Sequence, residues 1–332
     1  MRDRFWAQVC STMQEIRAAV STELDAVNAV IIEQLKSDVD MVENVGQYIV
    51  DAGGKRLRPL LALLSAASLN AMSDRHIHFA AVVEFIHTAT LLHDDVVDVS
   101  ELRRGRPTAN STFGNAPSVL VGDFLYTRAF QLMVALDSTP LLRMMADTTN
   151  TIAAGEVLQL IRAGDADTSE EQYYDVIDRK TAALFAAACE GAAILAGAEE
   201  GVATALRDYG RGIGIAFQLV DDLLDYEGDP EVTGKNVGDD LTEGKPTLPL
   251  IHVMRNGNPE QVALVRSAIT DKDVSKLNDV LSAVKDCGSL DYTREAALHH
   301  RDIALESLKA LPEGQARDAL EALAELSVAR SS

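Results

Sequence analysis

The sequence predicts an all-α protein of one domain, and three observations carry that expectation. Apolar residues recur at helical spacing along almost the whole chain, no window shows strand-type alternation between hairpin turns, and no low-complexity linker interrupts the 332 residues. A hydrophobic content of 47% is enough for a sizeable core.

Residues 8–50 read as two amphipathic helices, with Val27, Val30, Ile31 and Leu35 on one stripe and Met41, Val45, Ile49 and Val50 continuing the pattern. Gly53-Gly54 breaks the chain, and Pro59 suits the first turn of a helix that runs to about Leu69. A polar turn over 70–74 precedes a long helix over 77–99. Gly105 and Pro107 end that stretch. Helices follow over about 116–136 and 140–163, then one or two over 169–197, and another over 201–227. Residues 228–246 are rich in Gly and Pro and read as loop. Residues 247–330 read as several amphipathic helices with acidic exposed faces, and residues 1–10 as an N-terminal extension.

The net charge of −21 has the wrong sign for a nucleic-acid binder and suits a soluble cytoplasmic protein. Cys10, Cys189 and Cys287 are scattered without metal-ligand spacing and read as reduced thiols. The opening Met-Arg-Asp-Arg-Phe-Trp lacks the apolar core of a signal peptide. The most apolar stretch, 181–198, is interrupted by Glu190 and does not reach the ~20 residues of a spanning helix.

The chemistry concentrates in two stretches of one pattern, Leu-Leu-His-Asp-Asp-Val-Val-Asp (91–98) and Gln-Leu-Val-Asp-Asp-Leu-Leu-Asp (218–225). In each, the first and third aspartates are four residues apart, which on a helix places them on one face a turn apart: Asp94 with Asp98, and Asp221 with Asp225. The middle members are Asp95 and Asp222. A single such motif is most simply a solvated acidic face. Here both copies lie in core-like runs, where like charges a turn apart resist burial and require a positive partner. Hard divalent cations prefer such oxygen ligands, so the two copies are expected to form two facing metal-binding walls.

In so acidic a chain the basic clusters are informative. Lys55 and Arg58 follow Gly53-Gly54 at the start of a helix, whose N-terminal partial charge favours anions; an ordinary basic loop fits equally well. Arg103 and Arg104 lie just beyond the first motif. Guanidinium suits phosphate, and the simpler alternative is a salt bridge to the aspartates. His87 lies two turns before Asp94 and is by itself compatible with a core histidine. Lys180-Thr181 begins the Ala-rich helix, and Lys235 lies in the glycine-rich loop, where a surface role or a lid over a pyrophosphate both fit. Together these groups imply two pyrophosphates: one held by metal, Arg103 and Lys180, the other without metal by Lys55, Arg58, His87 and Arg104.

Six ordered motifs give the chain a family resemblance: Gly-Gly-Lys-Arg-Leu-Arg-Pro (53–59), His-Asp-Asp-Val-Val-Asp (93–98), Arg-Arg-Gly (103–105), Lys-Thr (180–181), Phe-Gln-Leu-Val-Asp-Asp-Leu-Leu-Asp (217–225) and Gly-Lys-Asn-Val-Gly-Asp-Asp (234–240). Over nearly its full length the chain resembles the trans-isoprenyl diphosphate synthases. The strings around the first motif and around Val-Leu-Val-Gly-Asp-Phe-Leu-Tyr resemble the bacterial octaprenyl branch. The resemblance implies a bundle of long helices around a deep central cavity, a homodimer, and elongation of an allylic diphosphate such as farnesyl diphosphate by isopentenyl diphosphate. It also implies a hydrophobic product delivered to a membrane, and quinone side-chain synthesis as its use. By the same carry-over, Asp94, Asp98 and Asp221 ligate magnesium, three ions with substrate bound, and Asp95, Asp222 and Asp225 complete the catalytic carboxylates. Arg103, Lys180, Thr181, Gln218 and Lys235 contact the allylic diphosphate, while Lys55, Arg58, His87 and Arg104 hold isopentenyl diphosphate.

Side chains one and two turns before Asp94 are expected to line the path of the growing chain: Ala89 and Thr90, then Phe85 and Ile86. Alanine at 89 leaves that path open and favours a long product, with Phe85 a candidate for part of the floor. Ala89 argues against a short-chain farnesyl or geranylgeranyl synthase. Lys55, Arg58 and His87 would be surplus in a terpene cyclase. A non-catalytic partner subunit would be expected to have lost aspartates, and all six are present. A di-iron bundle would favour glutamates and Glu-x-x-His.

Overall fold

The computed structural model describes residues 12–103, 105–227 and 238–329, so Arg104 and Lys235 lie outside the described residues. In chain order the helices are α1 (Ser21–Gln34), α2 (Asp40–Asp51), α3 (Leu57–Ser68), α4 (Asp74–Val97), α5 (Ala109–Phe113), α6 (Asn115–Ala135), α7 (Thr139–Arg162) and α8 (Glu170–Ile177). A π-helical turn, Asp178–Ala182, follows. Then come α9 (Ala183–Ala196), α10 (Glu200–Glu227), α11 (Asp239–Glu243), α12 (Leu248–Asn256), α13 (Pro259–Asp271), α14 (Leu277–Asp286), α15 (Ser289–Ser307) and α16 (Gln315–Val328). The protein is all-α, as the periodicity predicts. The described strand content is one antiparallel pair, Leu102–Arg103 with Arg106–Pro107, turned at Gly105. Two residues per strand are too few for alternation to register in the sequence, which is why a strand-free chain was expected.

The chain forms two compact units, each drawn from separated segments. Unit one comprises the chain up to Thr149, Leu184–Gly210 and Leu305–Leu326. Unit two comprises Asn150–Ala183, Arg211–Ala304 and the residues from Ser327.

In unit one α4 packs along α6 and against α1 and α3. Its central turns are apolar all round, with Phe79, Val82, Val83, Phe85, Ile86 and Ala89 buried, as a helix enclosed by neighbours requires. Gly191 of α9 admits the Phe79 ring: a Cβ there would lie 2.2 Å from Phe79 Cζ, so even alanine would overpack this contact. The His76 ring is buried beside it. One ring nitrogen meets the Ala192 carbonyl at 3.1 Å and the other the Ser73 hydroxyl at 2.8 Å, and burial lowers its pKa. A neutral ring donating to the carbonyl and accepting from the hydroxyl satisfies both contacts. The Tyr209 hydroxyl donates to the Leu320 carbonyl at 2.8 Å.

Unit two has two apolar clusters. One gathers Tyr226, Leu241, Leu250, Val253, Val265, Ile269, Val280 and Val284. The other gathers Tyr173, Ile177, Ala182, Ile215, Leu219, Val220, Leu248 and Ile251. The helix starts are written in the sequence. Ser169 and Gln172 form a reciprocal capping box at α8, and Asn258 and Gln261 form another at α13, where Pro259 takes the first position.

The end of α4 is less orthodox. The Val99 N–H bonds to the Val96 carbonyl and the Ser100 N–H to the Asp95 carbonyl, the bond pair of a Schellman turn. The left-handed position, usually glycine, is Val99 at φ +52°, and its side chain is exposed. A β-branched residue there is strained by ~1–2 kcal/mol. Replacing Val99 with glycine removes that strain and loses no packing, while adding unfolded-state entropy of ~0.5–1 kcal/mol. The Val99→Gly protein is therefore expected to be more stable by roughly 0.5–1 kcal/mol, read by thermal and urea unfolding. A stability equal to or below that of the parent would show that Val99 is unstrained.

Candidate active site

The first motif occupies the last turn of α4. Asp94 lies within it and Asp98 is the C-cap residue, so the two stand one turn apart, both half-buried. Asp95 faces inward and is 4% exposed. Arg103, on the first strand of the hairpin, donates to its Oδ1 from Nε at 2.8 Å and from Nη2 at 2.6 Å. The salt bridge weighed above as the simpler role for an arginine here is thus present. The Asn110 amide holds the Asp95 carbonyl at 3.2 Å, and the Ser118 hydroxyl the Leu92 carbonyl at 3.2 Å. The next residue back, His93, packs where Gly122 has no side chain; a Cβ at Gly122 would lie 2.4 Å from its Nε2.

The basic loop reaches the same helix. Gly53 has φ +66° and Arg56 is left-handed at φ +46°, so the backbone turns sharply into α3. Arg56 then pairs with Glu84 of α4 at 2.5 Å, with both side chains largely buried. One turn along α4, Arg58 meets His87 Nε2 at 3.1 Å and lies 4.3 Å from the centre of the Phe185 ring. Arginine only donates, so His87 accepts at Nε2 and carries its proton on Nδ1. Lys55 is exposed beside them. Glu84 and His87 thus fix two arginines of one loop, three residues apart on one helix face. Arg58 and His87 are among the site residues expected from the sequence; Arg56 and Glu84 are not. A lone glutamate in the apolar run Phe-Ala-Ala-Val-Val-Glu-Phe-Ile (79–86) was the available signal, since such a charge is rarely buried without a partner. Phe85 and Ala89 are buried in this helix. Thr90 is half-buried and its hydroxyl donates to the His87 carbonyl at 2.8 Å.

Unit two carries the second motif in the last turns of α10. Asp221 is half-buried. Asp222 is 3% exposed and accepts from the Tyr173 hydroxyl at 2.5 Å on one oxygen and from the Gln218 amide at 2.8 Å on the other. Burial pushes its carboxyl up to about 6, against the pull of these two hydrogen bonds. Asp225 accepts the backbone N–H groups of Asp239 and Asp240 at 3.1 and 3.2 Å, and so fastens the start of α11. Tyr173 was not foreseen; nothing in its local sequence marks it.

Lys180 and Thr181 sit in the π-helical turn, a distortion that recurs at functional sites. Gly155 of α7 permits the approach, because a Cβ there would lie 2.9 Å from the Lys180 backbone nitrogen. Lys180 pairs with Glu156 at 2.6 Å, and the Thr181 hydroxyl donates to Gln218 Oε1 at 2.8 Å. Lys245 pairs with Glu243. Cys189 is an inert core thiol, its pKa pushed up to about 12 by burial.

Within unit one, then, Arg58 meets His87, Arg103 meets Asp95, and Asp94 and Asp98 share a helix end. Within unit two, Thr181, Gln218 and Asp222 form one hydrogen-bonded chain. Among the described residues no three His, Cys, Asp or Glu side chains form a ready-made ion cage. Within unit one the half-buried Asp94 and Asp98, and within unit two the half-buried Asp221, offer carboxylate oxygens. Such a set fits a magnesium-like ion, which keeps waters and substrate phosphates in its shell instead of taking an all-protein cage.

The buried Arg56–Glu84 pair gives a direct stability test. Glu84→Ala leaves a buried guanidinium unpaired and is expected to cost about 3–5 kcal/mol in urea unfolding. The double variant Arg56→Met/Glu84→Leu, which removes both charges, is expected to recover most of that loss. Equal losses in the single and double variants would show that packing matters there and charge does not.

The polyprenyl synthetase family profile matches residues 39–287. The octaprenyl diphosphate synthase of Escherichia coli is 51% identical over 319 residues, covering 96% of this chain and 99% of that protein. The all-trans-nonaprenyl-diphosphate synthase of Rhodobacter capsulatus is 47% identical over 318 residues, 96% of this chain and 98% of that one. Among solved structures, the polyprenyl synthase of Caulobacter crescentus, complexed with calcium and isoprenyl diphosphate, superposes with a TM-score of 0.93 at 42% identity, covering 96% of this chain and 98% of that chain. A decaprenyl diphosphate synthase from Rhodobacter capsulatus superposes at 0.92 with 44% identity, covering 96% and 99%. The chain belongs to the polyprenyl synthetase family.

Proposed function

We propose that this chain is a long-chain all-trans-polyprenyl diphosphate synthase that adds isopentenyl diphosphate units to farnesyl diphosphate and makes octaprenyl diphosphate for quinone side chains. The observation that carries the reading lies within unit one. Helix α4 presents His87, with Arg58 against it, and seven residues later the Asp94/Asp98 pair. One helix thus carries a cationic anion site and an oxygen-ligand site. The family match and the long-chain relatives support the same reaction class.

In this reading Lys55, Arg58, His87 and Arg104 hold isopentenyl diphosphate. Arg103, Lys180, Thr181, Gln218 and Lys235 hold the allylic diphosphate. Asp94, Asp98 and Asp221 hold three magnesium ions with it. Magnesium neutralises the charge that collects on the departing diphosphate. Arg103 and Lys180 add fixed positive charge to the same group, and Asp95 and Glu156 set their positions before substrate arrives. Arg58 and Lys55 anchor the second diphosphate, so that its double bond is held against the allylic carbon as the C–O bond breaks and the new C–C bond forms. The apolar side chains around Ala89 exclude water that would capture the cation. The proton lost in forming the new double bond passes to the released diphosphate.

A homodimer is part of the reading. Val157, Leu160 and Ile161 project 58–67% exposed from one face of α7, an apolar stripe suited to a second copy of the chain. Among the described residues no helix is long and apolar enough to cross a membrane. The enzyme is read as cytoplasmic, delivering its hydrophobic product to a membrane surface.

The test is incubation with magnesium, farnesyl diphosphate and labelled isopentenyl diphosphate, followed by sizing of the extracted chains. A single octaprenyl product is expected; arrest after one addition would overturn the long-chain reading. In the same assay Asp94→Ala is expected to lower turnover by about 10²- to 10³-fold with little change in isopentenyl diphosphate binding. Equal losses in both would sink the two-site assignment. Ala89→Phe is expected to shorten the product while leaving the first addition intact, and an unchanged product would remove position 89 from length control.

A further inference from the structure

The hydroxyl of Tyr173 belongs to neither substrate site as assigned above, yet it makes a 2.5 Å hydrogen bond inside unit two. Its ring lies among Ile177, Ala182, Ile215, Leu219 and Val220 and needs no hydroxyl to pack there. A phenylalanine would fill the same space. The hydroxyl donates to Asp222 Oδ2, while Asp222 Oδ1 accepts from Gln218 Nε2 at 2.8 Å and Gln218 Oε1 accepts from Thr181 Oγ1 at 2.8 Å. Four side chains from three pieces of structure, α8, the π-helical turn and α10, make one ordered chain.

The direction of that chain is forced. A carboxylate only accepts, so Gln218 must turn its NH2 group toward Asp222 and its carbonyl toward Thr181. Thr181 must then spend its hydroxyl hydrogen on Gln218. A diphosphate oxygen also only accepts. By this inventory the donor that the pair offers to such a group is the second N–H of Gln218. If Asp222 swings away from its place, the amide is free to flip and present its carbonyl to the phosphate. Tyr173 holds the other oxygen of that carboxylate. We propose that Tyr173 is a positioning residue for the allylic diphosphate, acting through Asp222 to hold the Gln218 amide with its N–H side toward substrate. The inference rests on the assignment of Gln218 to the allylic diphosphate and adds to it the element that orients the amide; Thr181, its hydroxyl hydrogen spent on Gln218, serves that site through the amide.

The experiment is a double-mutant cycle on the full-length enzyme at pH 8, with KM measured separately for farnesyl diphosphate and isopentenyl diphosphate. Tyr173→Phe is expected to raise the farnesyl diphosphate KM about 10-fold, the size of one hydrogen bond to a charged group, and to leave the isopentenyl diphosphate KM within about twofold of the parent. In a Gln218→Ala background the same substitution is expected to have no further effect on the farnesyl diphosphate KM, because the group it positions is gone. Tyr209→Phe is the matched control. It also removes one buried hydroxyl hydrogen bond, the one to the Leu320 carbonyl at 2.8 Å, and is expected to lower thermal stability without moving either KM. Tyr173→Phe and Gln218→Ala effects that simply add, or a Tyr173→Phe protein that changes only in stability or fails to fold, would overturn the positioning role and leave the Gln218 assignment standing. A Gln218→Ala enzyme with an unchanged farnesyl diphosphate KM would overturn the assignment itself, and the inference with it.

Discussion

Two adjacent carboxylates cannot both be buried in an apolar helix without a cation or hydrogen-bond donors for each, and much of the site follows from how that conflict is resolved. In both motifs the middle aspartate turns inward and is satisfied by protein. Asp95 takes two hydrogen bonds from Arg103, and Asp222 takes one each from Tyr173 and Gln218. The first aspartate of each motif, Asp94 and Asp221, stays half-open. One pattern of sequence thus splits into an anchoring carboxylate and an outward carboxylate, because successive helical positions face about 100° apart.

The anchoring aspartates differ in their partners, and the difference has chemical consequences. Arg103 is a fixed cation, held in place by its two hydrogen bonds to Asp95. Asp222 accepts hydrogen bonds from two neutral groups, Tyr173 and Gln218, and burial raises its pKa to about 6 against those bonds and the positive charge of Lys245. What it orients is an amide and a hydroxyl, groups whose hydrogen-bond direction can reverse.

The arginine pair of the basic loop obeys the same logic. Arg56 and Arg58 would repel each other along one strand of backbone, and α4 answers with Glu84 under one and the His87 ring under the other. The left-handed Arg56 and Gly53 give the loop the shape that lets both guanidinium groups reach the helix. Strain recurs at Val99, which ends the helix immediately after Asp98. Left-handed non-glycine residues thus stand at both ends of the segment that bears the Arg58–His87 contact and the first motif, and they recur at Asn70, Asp137 and Lys272.

The all-α class, the limits of the longer helices to within a few residues and the two aspartate motifs were legible in the sequence, because each depends on local spacing, whereas the short helices α5 and α11, the second in a stretch read as loop, were not. Arg58 and His87 were also legible, as basic residues in a chain of net charge −21. Partners were not legible. Glu84, Glu156 and Tyr173 lie 28, 24 and 49 residues from the groups they hold, and although the apolar run around Glu84 marks it as needing a partner, nothing local says which residue that partner is. The division into two units was equally hidden, since each is assembled from separated segments. The sequence alone determined which helices form and which charges they carry. Only the tertiary structure decided how deeply each of those charges is buried and which side chains hold Glu84, Asp95 and Asp222, because that depends on side chains meeting across helices whose register no local pattern encodes.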